Sequence, residues 1–110
     1  MVGRRLKFKK GCIYHLKLNW IGEFDVLVQC SNPPRIDRIP FVYDDRVWFK
    51  MLAANSPGNT LGDVKGYSSL RFNDFDRVIE KDRVDMKDLP LYVGYAQVSH
   101  HFTKLLNRLR

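Results

Sequence analysis

Residues 12–30 have the sequence CIYHLKLNWIGEFDVLVQC, and this stretch decides the fold. Apolar and polar side chains alternate on both sides of Trp20-Ile21-Gly22, which is the pattern of two β-strands that each bury one face. Pairing Leu18 with Phe24 places apolar residues opposite one another along the whole hairpin. A shift by one residue would set Leu18 opposite Asp25, so burial selects the first register. We therefore predict an antiparallel hairpin whose three-residue loop ends on glycine.

Further strands are predicted after this hairpin. Two apolar runs flank Asp44-Asp45, a plausible tight turn, and both are apolar on two faces, which indicates a central place in a sheet or an interface. Residues 55–66 are rich in Gly, Ser and Asn and predict a loop, after which one bent strand or two short strands follow. The predicted strands are residues 39–43, 46–52, 69–72 and 77–80.

A helix is predicted at the end of the chain. Its apolar residues recur at spacings of three and four, which is one stripe of an α-helix, and basic residues recur every four positions on the opposite face. Several strands with short turns and one terminal helix predict a mainly β fold, a small SH3-like barrel with a C-terminal α-helix. We expect the barrel over about residues 6–84 and the helix over about 94–109. The apolar stripe is Tyr95, Val98, Phe102, Leu105 and Leu109, and the basic residues of the opposite side are His100, Lys104 and Arg108.

Length and composition narrow the class of protein. A chain of 110 residues with 45% hydrophobic residues predicts a single globular domain over residues 1–110. No apolar run approaches the roughly 18 residues of a membrane span, and no secretory h-region follows the basic start. The two cysteines, Cys12 and Cys30, face each other in the predicted register. Without a secretory signal we expect reduced thiols and a cytoplasmic location, although a cross-strand disulfide is also compatible with that register.

The net positive charge is segregated at the two ends of the chain. Residues 11–103 carry 11 Lys/Arg against 12 Asp/Glu, a net charge of −1, while the whole protein has a net charge of +7. If the fold brings the ends together, they form one positive surface that attracts a polyanion by counterion release; solvated tails are the alternative. We therefore predict a nucleic-acid partner, RNA or DNA. The predicted phosphate-binding residues are Arg4, Arg5, Lys7, Lys9, Lys10, Lys104 and Arg108, and the predicted stacking platforms are Trp20, Tyr43, Trp48 and Tyr67.

No cofactor or metal is predicted from the motifs. Residues 73–76 contain two carboxylates at strand spacing, but a polar turn explains them better than a magnesium site. His100 and His101 are adjacent, so on a helix their side chains diverge by about 100° and do not share a metal easily. The loop at residues 56–66 has glycines and a lysine without the order of a phosphate-binding loop.

Several segments resemble the MazF/PemK family of plasmid and chromosomal toxins. Gly11–Leu16 and Asp25–Gln29 are similar to the opening pair of strands of that family, and Val93-Gly94 is similar to its Ile-Gly before the last helix. Ser69 and then Asp76–Val84, DRVIEKDRV, resemble its Ser-led strand and the Ile-Arg-x-Ile-Asp-Lys-x-Arg-Leu stretch that follows. The resemblance covers roughly a third of the chain. It implies an SH3-like barrel with a C-terminal helix, in a family of endoribonucleases.

The resemblance departs from the family at the catalytic positions. The family has an arginine, usually followed by proline, just before its second strand, where this chain has Glu23-Phe24-Asp25. If the chain cleaves RNA, Glu23 is the candidate base, Ser56 is the candidate hydrogen-bond donor, and Arg77 is the candidate cation for the phosphorane. A salt bridge is the more ordinary role for Arg77. The predicted function is a nucleic-acid-binding small β-barrel of MazF/PemK-like fold, or a degenerate or atypical endoribonuclease.

A protein-interaction module is the alternative function. It would be an inhibitor or subunit encoded by a mobile element or virus, and it would act without catalysis on a protein partner or as a homodimer. The apolar segment Val47–Leu52 and the stripe of the last helix are the two predicted contact surfaces. Burial of both in the core is the simpler interpretation of the same residues.

Overall fold

The computed structural model describes residues 6–33, 45–55, 66–92 and 97–109. The predicted strand at residues 39–43 lies outside this part of the chain, as does most of the loop at residues 55–66. Four predicted site residues also lie outside it: Arg4, Arg5, Tyr43 and Ser56.

The structure is mainly β, with one antiparallel sheet and a C-terminal helix, as predicted. Five strands lie in the order β4-β3-β2-β1-β5, and a two-residue strand, β6, pairs with β3. A 3-10 helix at Phe72–Arg77 joins β4 to β5, and another at Met86–Tyr92 follows β5. The strands are β1 (Ile13–Asn19), β2 (Glu23–Ser31), β3 (Arg46–Ala54), β4 (Tyr67–Arg71), β5 (Val78–Val84) and β6 (Gln97–Val98), and the helix is α1 (His100–Arg108).

The first hairpin has the predicted register. Leu18 lies opposite Phe24, and the three residues between β1 and β2 form the loop. Gly22 has a φ of 106°, as expected for the last loop position, and Ile21 has a φ of 53°. The left-handed region disfavours a β-branched residue, so the backbone at Ile21 is strained.

The two faces of the sheet bury two separate cores. Even-numbered residues of β1 and β2 face one core, and Ile13 and Leu27 face the other. Register shifts at Leu27/Val28 and at Lys17/Leu18 mark β-bulges, which bend strands and increase their twist. We call the first cluster the inner core and the second the outer core. The inner core includes Tyr14, Leu16, Leu18, Phe24, Val26, Val28, Phe49, Leu70, Phe75 and Val78; the outer core includes Ile13, Leu27, Leu52, Ala53, Val84, Leu89, Phe102 and Leu105.

The sheet curls around the inner core into a small SH3-like barrel. Side chains from both edge strands, Leu70 of β4 and Val78 of β5, meet in this core together with Phe75 of the connecting 3-10 helix. Leu6 and Phe8 of the N-terminal segment pack against the same core. The helix α1 packs on the opposite face of the sheet, over the outer core.

The C-terminal helix is shorter than predicted. It begins at His100 rather than near residue 94, because Gln97 and Val98 pair with β3 instead of entering a helix. The Ser99 amide donates to the Leu52 carbonyl at 2.8 Å, and its hydroxyl accepts from the Phe102 amide at 3.1 Å. Ser99 is thus an N-cap that fixes α1 to the sheet. The predicted stripe is correspondingly only partly buried: Phe102 and Leu105 are core residues, whereas Val98 and Leu109 are exposed.

Candidate nucleic-acid interface

A polar cluster lies at the end of the outer sheet face, beyond the outer core. The strand register sets Gln29 of β2 opposite Lys50 of β3, and Lys50 opposite Tyr67 of β4. Side chains alternate between faces along a strand, so Gln29 shares a face with Leu27 two residues earlier. The polar cluster therefore lies on the same face of the sheet as the outer core, directly beyond it.

Hydrogen bonds of Gln29 join this cluster to helix α1 and to the N-terminal segment. His101 Nε2 lies 2.7 Å from Gln29 Oε1, and Gln29 Nε2 donates to the Gly11 carbonyl at 3.0 Å. The Gly11 amide also donates to the Cys30 carbonyl at 2.8 Å, which holds the start of the barrel against β2. One glutamine thus connects the first and the last segments of the chain.

Two open clefts meet at this cluster. One has a volume of about 560 Å³ and the other about 330 Å³. Lys50 and Tyr67 line both, so the clefts adjoin each other. Asp and Glu are absent from the described residues that line them. The larger is lined by Lys10, Gly11, Gln29, Cys30, Ser31, Asn32, Pro33, Lys50 and Tyr67, and the smaller by Lys50, Met51, Gly66, Tyr67, Ser99, His100 and His101.

The electrostatics of His101 show how closely the cations gather. Burial is the first cause that lowers the pKa of His101, and repulsion from Lys50, Arg108, Lys104 and His100 lowers the pKa further. In the larger cleft, burial raises the pKa of the Cys30 thiol, and Lys10 opposes this rise. We call Lys10, Lys50, His100, His101, Lys104 and Arg108 the basic face.

The fold brings the two basic ends together only in part. Lys10 lines the larger cleft, while Lys104 and Arg108 lie on the exposed face of α1 beside His101. Lys7 lies elsewhere: its carbonyl accepts from Lys81 Nζ of β5 at 2.6 Å. The Lys9 amide donates to the Tyr14 hydroxyl at 2.8 Å, and the cleft linings include neither Lys7 nor Lys9. Phosphate binding by Lys7 and Lys9 remains a prediction.

Of the predicted stacking residues, Tyr67 alone among those described lies beside these cations. It is half-buried, and it lines both clefts. Trp48 is only 6% exposed and belongs to the core, so it presents no platform. Trp20 is exposed, but it lies in the hairpin loop at the far end of β1 and β2.

Two of the three predicted catalytic residues, Glu23 and Arg77, lie at that hairpin end; the third, Ser56, is outside the described residues. Glu23 Oε2 is 3.7 Å from Lys17 Nζ. Arg77 Nε is 3.6 Å from Asp74 Oδ1, and its guanidinium lies 4.4 Å from the centre of the Trp20 ring. Glu23 and Arg77 therefore have structural partners, and neither lines the two clefts described above. Their catalytic roles remain predictions.

A second polar cluster at the hairpin end was not predicted. His15 Nε2 lies 2.9 Å from Asp25 Oδ1, and the Asn55 side chain bonds both to Asp25 Oδ2 and to the Asp25 amide, each at 2.9 Å. The ring of Tyr92 lies 5.7 Å from the ring of His15. Burial raises the pKa of Tyr92, and Asp82 and Asp88 raise it further. This cluster fastens β1, β2 and the end of β3 to one another.

Each of the two predicted protein-contact surfaces is buried only in part. Trp48, Phe49 and Leu52 of β3 are buried within the sheet, and Phe102 and Leu105 of α1 are buried against it. Association with a protein partner or a second copy stays a prediction.

Comparison with known proteins adds no relative: no family model, curated protein or solved structure matches this chain.

Within the described ranges, no helix is long and apolar enough to cross a membrane. The same residues contain no group of three or more His, Cys, Asp or Glu that could hold a metal ion. Cys12 and Cys30 are both free cysteines.

Sequence reasoning did not assign Lys50 or His101 to the basic face, nor Gln29 to the hydrogen bonds that support it. The signal for Lys50 was present, since it is a cation inside the apolar segment Val47–Leu52. A charge in such a strand must reach solvent or a partner, and this marks the end of the buried face. Gln29 and His101 needed the packing of α1 on the sheet to be recognised.

Proposed function

We propose that this protein binds nucleic acid, RNA or DNA, through the basic face. The observation that carries the proposal is the pair of adjoining clefts. They are lined by Lys10, Lys50, His100 and His101, and no carboxylate lies among their described lining residues. Cations without nearby carboxylates attract phosphate groups and release the counterions that those phosphates hold.

The arrangement of the basic face supports a chain-like ligand rather than a single anion. Its cations come from three separate segments: Lys10 before β1, Lys50 in β3, and Lys104 and Arg108 in α1. Tyr67 lies between the two clefts and offers an aromatic ring beside the cations. Basic grooves that follow a phosphate backbone and carry an aromatic ring are the general solution for binding nucleic acid without sequence readout.

The fold is compatible with the MazF/PemK-like resemblance, which we retain as part of this proposal together with a cytoplasmic location. Ser69 lies in β4, and the Asp76–Val84 stretch comprises the end of the 3-10 helix and the whole of β5. Ribonuclease activity is a separate proposal that depends on Glu23, Ser56 and Arg77.

The proposed function is tested by the salt dependence of binding. Fluorescence anisotropy would follow the full chain against labelled single-stranded RNA, single-stranded DNA and duplex DNA from 50 to 300 mM salt. Four phosphate contacts, by Lys10, Lys50, Lys104 and Arg108, predict a slope of log affinity against log salt of about −3 for a single strand. A slope near zero for all three probes would contradict the proposal.

A further inference from the structure

The hydrogen bonds of Gln29 fix the orientation of its side-chain amide. The Gly11 carbonyl can only accept, so the Gln29 atom 3.0 Å from it must be the NH₂ group. The other side of the amide is then the carbonyl oxygen Oε1, which lies 2.7 Å from His101 Nε2. Because Oε1 can only accept, Nε2 of His101 must carry a hydrogen. The neutral form of His101 is therefore the Nε2–H tautomer.

This tautomer leaves Nδ1 of His101 as a hydrogen-bond acceptor. The ring lines the smaller cleft, where the described lining includes Lys50 of β3 and His100 of α1. Phosphate oxygens are acceptors too, so they cannot bond to an unprotonated Nδ1. Protonation changes Nδ1 into a charged donor while Nε2 keeps its bond to Gln29. The bond to Gln29 thus survives in both protonation states, and protonation changes the chemistry only at Nδ1.

The surroundings of His101 oppose this protonation in the free protein. Lys50 acts from β3, and His100, Lys104 and Arg108 act from α1. Tyr67 of β4 lines the same cleft, Lys10 lies in the adjoining cleft, and the neighbour from β2 is the neutral Gln29. Burial, followed by these cations, lowers the pKa of His101. A bound polyanion neutralises the same cations and adds negative charge beside the ring, which offsets the part of this opposition that comes from the cations.

We propose that His101 binds phosphate only in its protonated form, so that nucleic acid bound to the basic face takes up a proton at this residue. This inference rests on the proposed function and adds its regulation by pH. The sign follows from linkage. A ligand that favours the protonated form binds more tightly as the pH falls, and one proton changes the affinity by at most about tenfold per pH unit.

The affinity of the full chain for a labelled single-stranded 12-mer would be measured between pH 5.5 and 8 at constant salt. We expect a several-fold gain in affinity on acidification from pH 8 to pH 6. His101→Gln, which keeps a donor for Gln29, should lose most of this gain. His15→Gln is the matched control, because His15 lies at the hairpin end and lines neither cleft described above; this variant should keep the gain.

A ring-NMR titration of His101, with and without unlabelled 12-mer, supplies the second readout. Bound nucleic acid should raise the pKa of His101. The inference is overturned if His101→Gln retains the wild-type pH dependence, if the dependence disappears with His100→Gln instead, or if the ring titrates alike with and without the 12-mer. If the wild type binds no probe at any pH, the proposed function itself fails, and the inference fails with it.

Discussion

The two ends of the outer sheet face differ in how their charged side chains are paired. At the hairpin end, Lys17 lies beside Glu23, and His15 is bonded to Asp25, which Asn55 holds in place. At the other end, Lys10, Lys50, Lys104 and Arg108 form no ion pair with any described residue. The outer core separates the two ends. Paired charges contribute to holding strands together, whereas cations gathered without carboxylates repel one another and gain stabilisation from an external anion.

The hairpin end also carries backbone strain. Ile21, at the hairpin tip, is 97% exposed and has a φ of 53°. Trp20 beside it is 36% exposed and carries the Arg77 guanidinium on its ring. The basic face instead depends on a capped helix and a bonded glutamine. The two ends should therefore respond differently to the same kinds of substitution.

The largest expected effect comes from the core between the two ends. Phe102 is fully buried and joins α1 to the outer core. Phe102→Ala should lower the free energy of unfolding by about 3–5 kcal/mol, since it leaves a large cavity. It should also displace His101, Lys104 and Arg108 and so weaken nucleic-acid binding. Urea unfolding measures the first effect and anisotropy the second.

Leu109→Ala is the control for that substitution, because Leu109 is at the end of the same stripe but is exposed. Its change in stability should stay within about 0.5 kcal/mol. Equal losses from both variants would show that the buried half of the stripe is assigned wrongly.

The comparison is sharpened by removing one charge from each end. Lys50→Gln removes a cation that lines both clefts, and Lys17→Gln removes one from the hairpin end. We expect Lys50→Gln to weaken nucleic-acid binding about five- to tenfold and to reduce the salt slope by about 0.7–1. Lys17→Gln should leave both quantities near their wild-type values. Similar losses in the two variants would mean that net charge, rather than the basic face, governs binding.

The smallest expected effect is at the hairpin tip. Asparagine tolerates the left-handed region far better than a β-branched residue does, and Ile21 has almost no contacts to lose. Ile21→Asn should raise the free energy of unfolding by about 1 kcal/mol, and with it the melting temperature, without changing nucleic-acid affinity. A lower melting temperature would show that Ile21 contributes to the fold in a way its exposure does not reveal.

The hairpin and the fold class could be predicted because local alternation and burial determine them. The pairing of Leu18 with Phe24 needs no long-range information, and only this register pairs apolar residues with one another along one face of the hairpin. The start of the helix was predicted wrongly, since the periodic spacing of Val98 matches a helix while its actual partner, Ala53 of β3, is far away in sequence. Tertiary pairing outweighed the local pattern there.

The candidate site could be predicted only by its charge. The segregated net charge indicated Lys10, Lys104 and Arg108; of these, Lys10 lines the larger cleft, and Lys104 and Arg108 lie beside His101. Lys50, Gln29 and His101 come together through the strand register and the docking of α1, and neither is a local property of the chain. The charge pattern of the sequence grouped Lys7 with the same set, but in the structure the Lys7 carbonyl accepts a hydrogen bond from Lys81 of β5.

Mapping the bound nucleic acid on the protein tests the central claim most directly. Amide NMR spectra of the full chain would be recorded while an unlabelled single-stranded 12-mer is added. The account predicts the largest shifts at Gly11, Gln29, Lys50, Tyr67 and His101, with little change at the hairpin end, including the Trp20 indole. Shifts concentrated around Trp20 and Glu23, or no shifts at any residue, would contradict it.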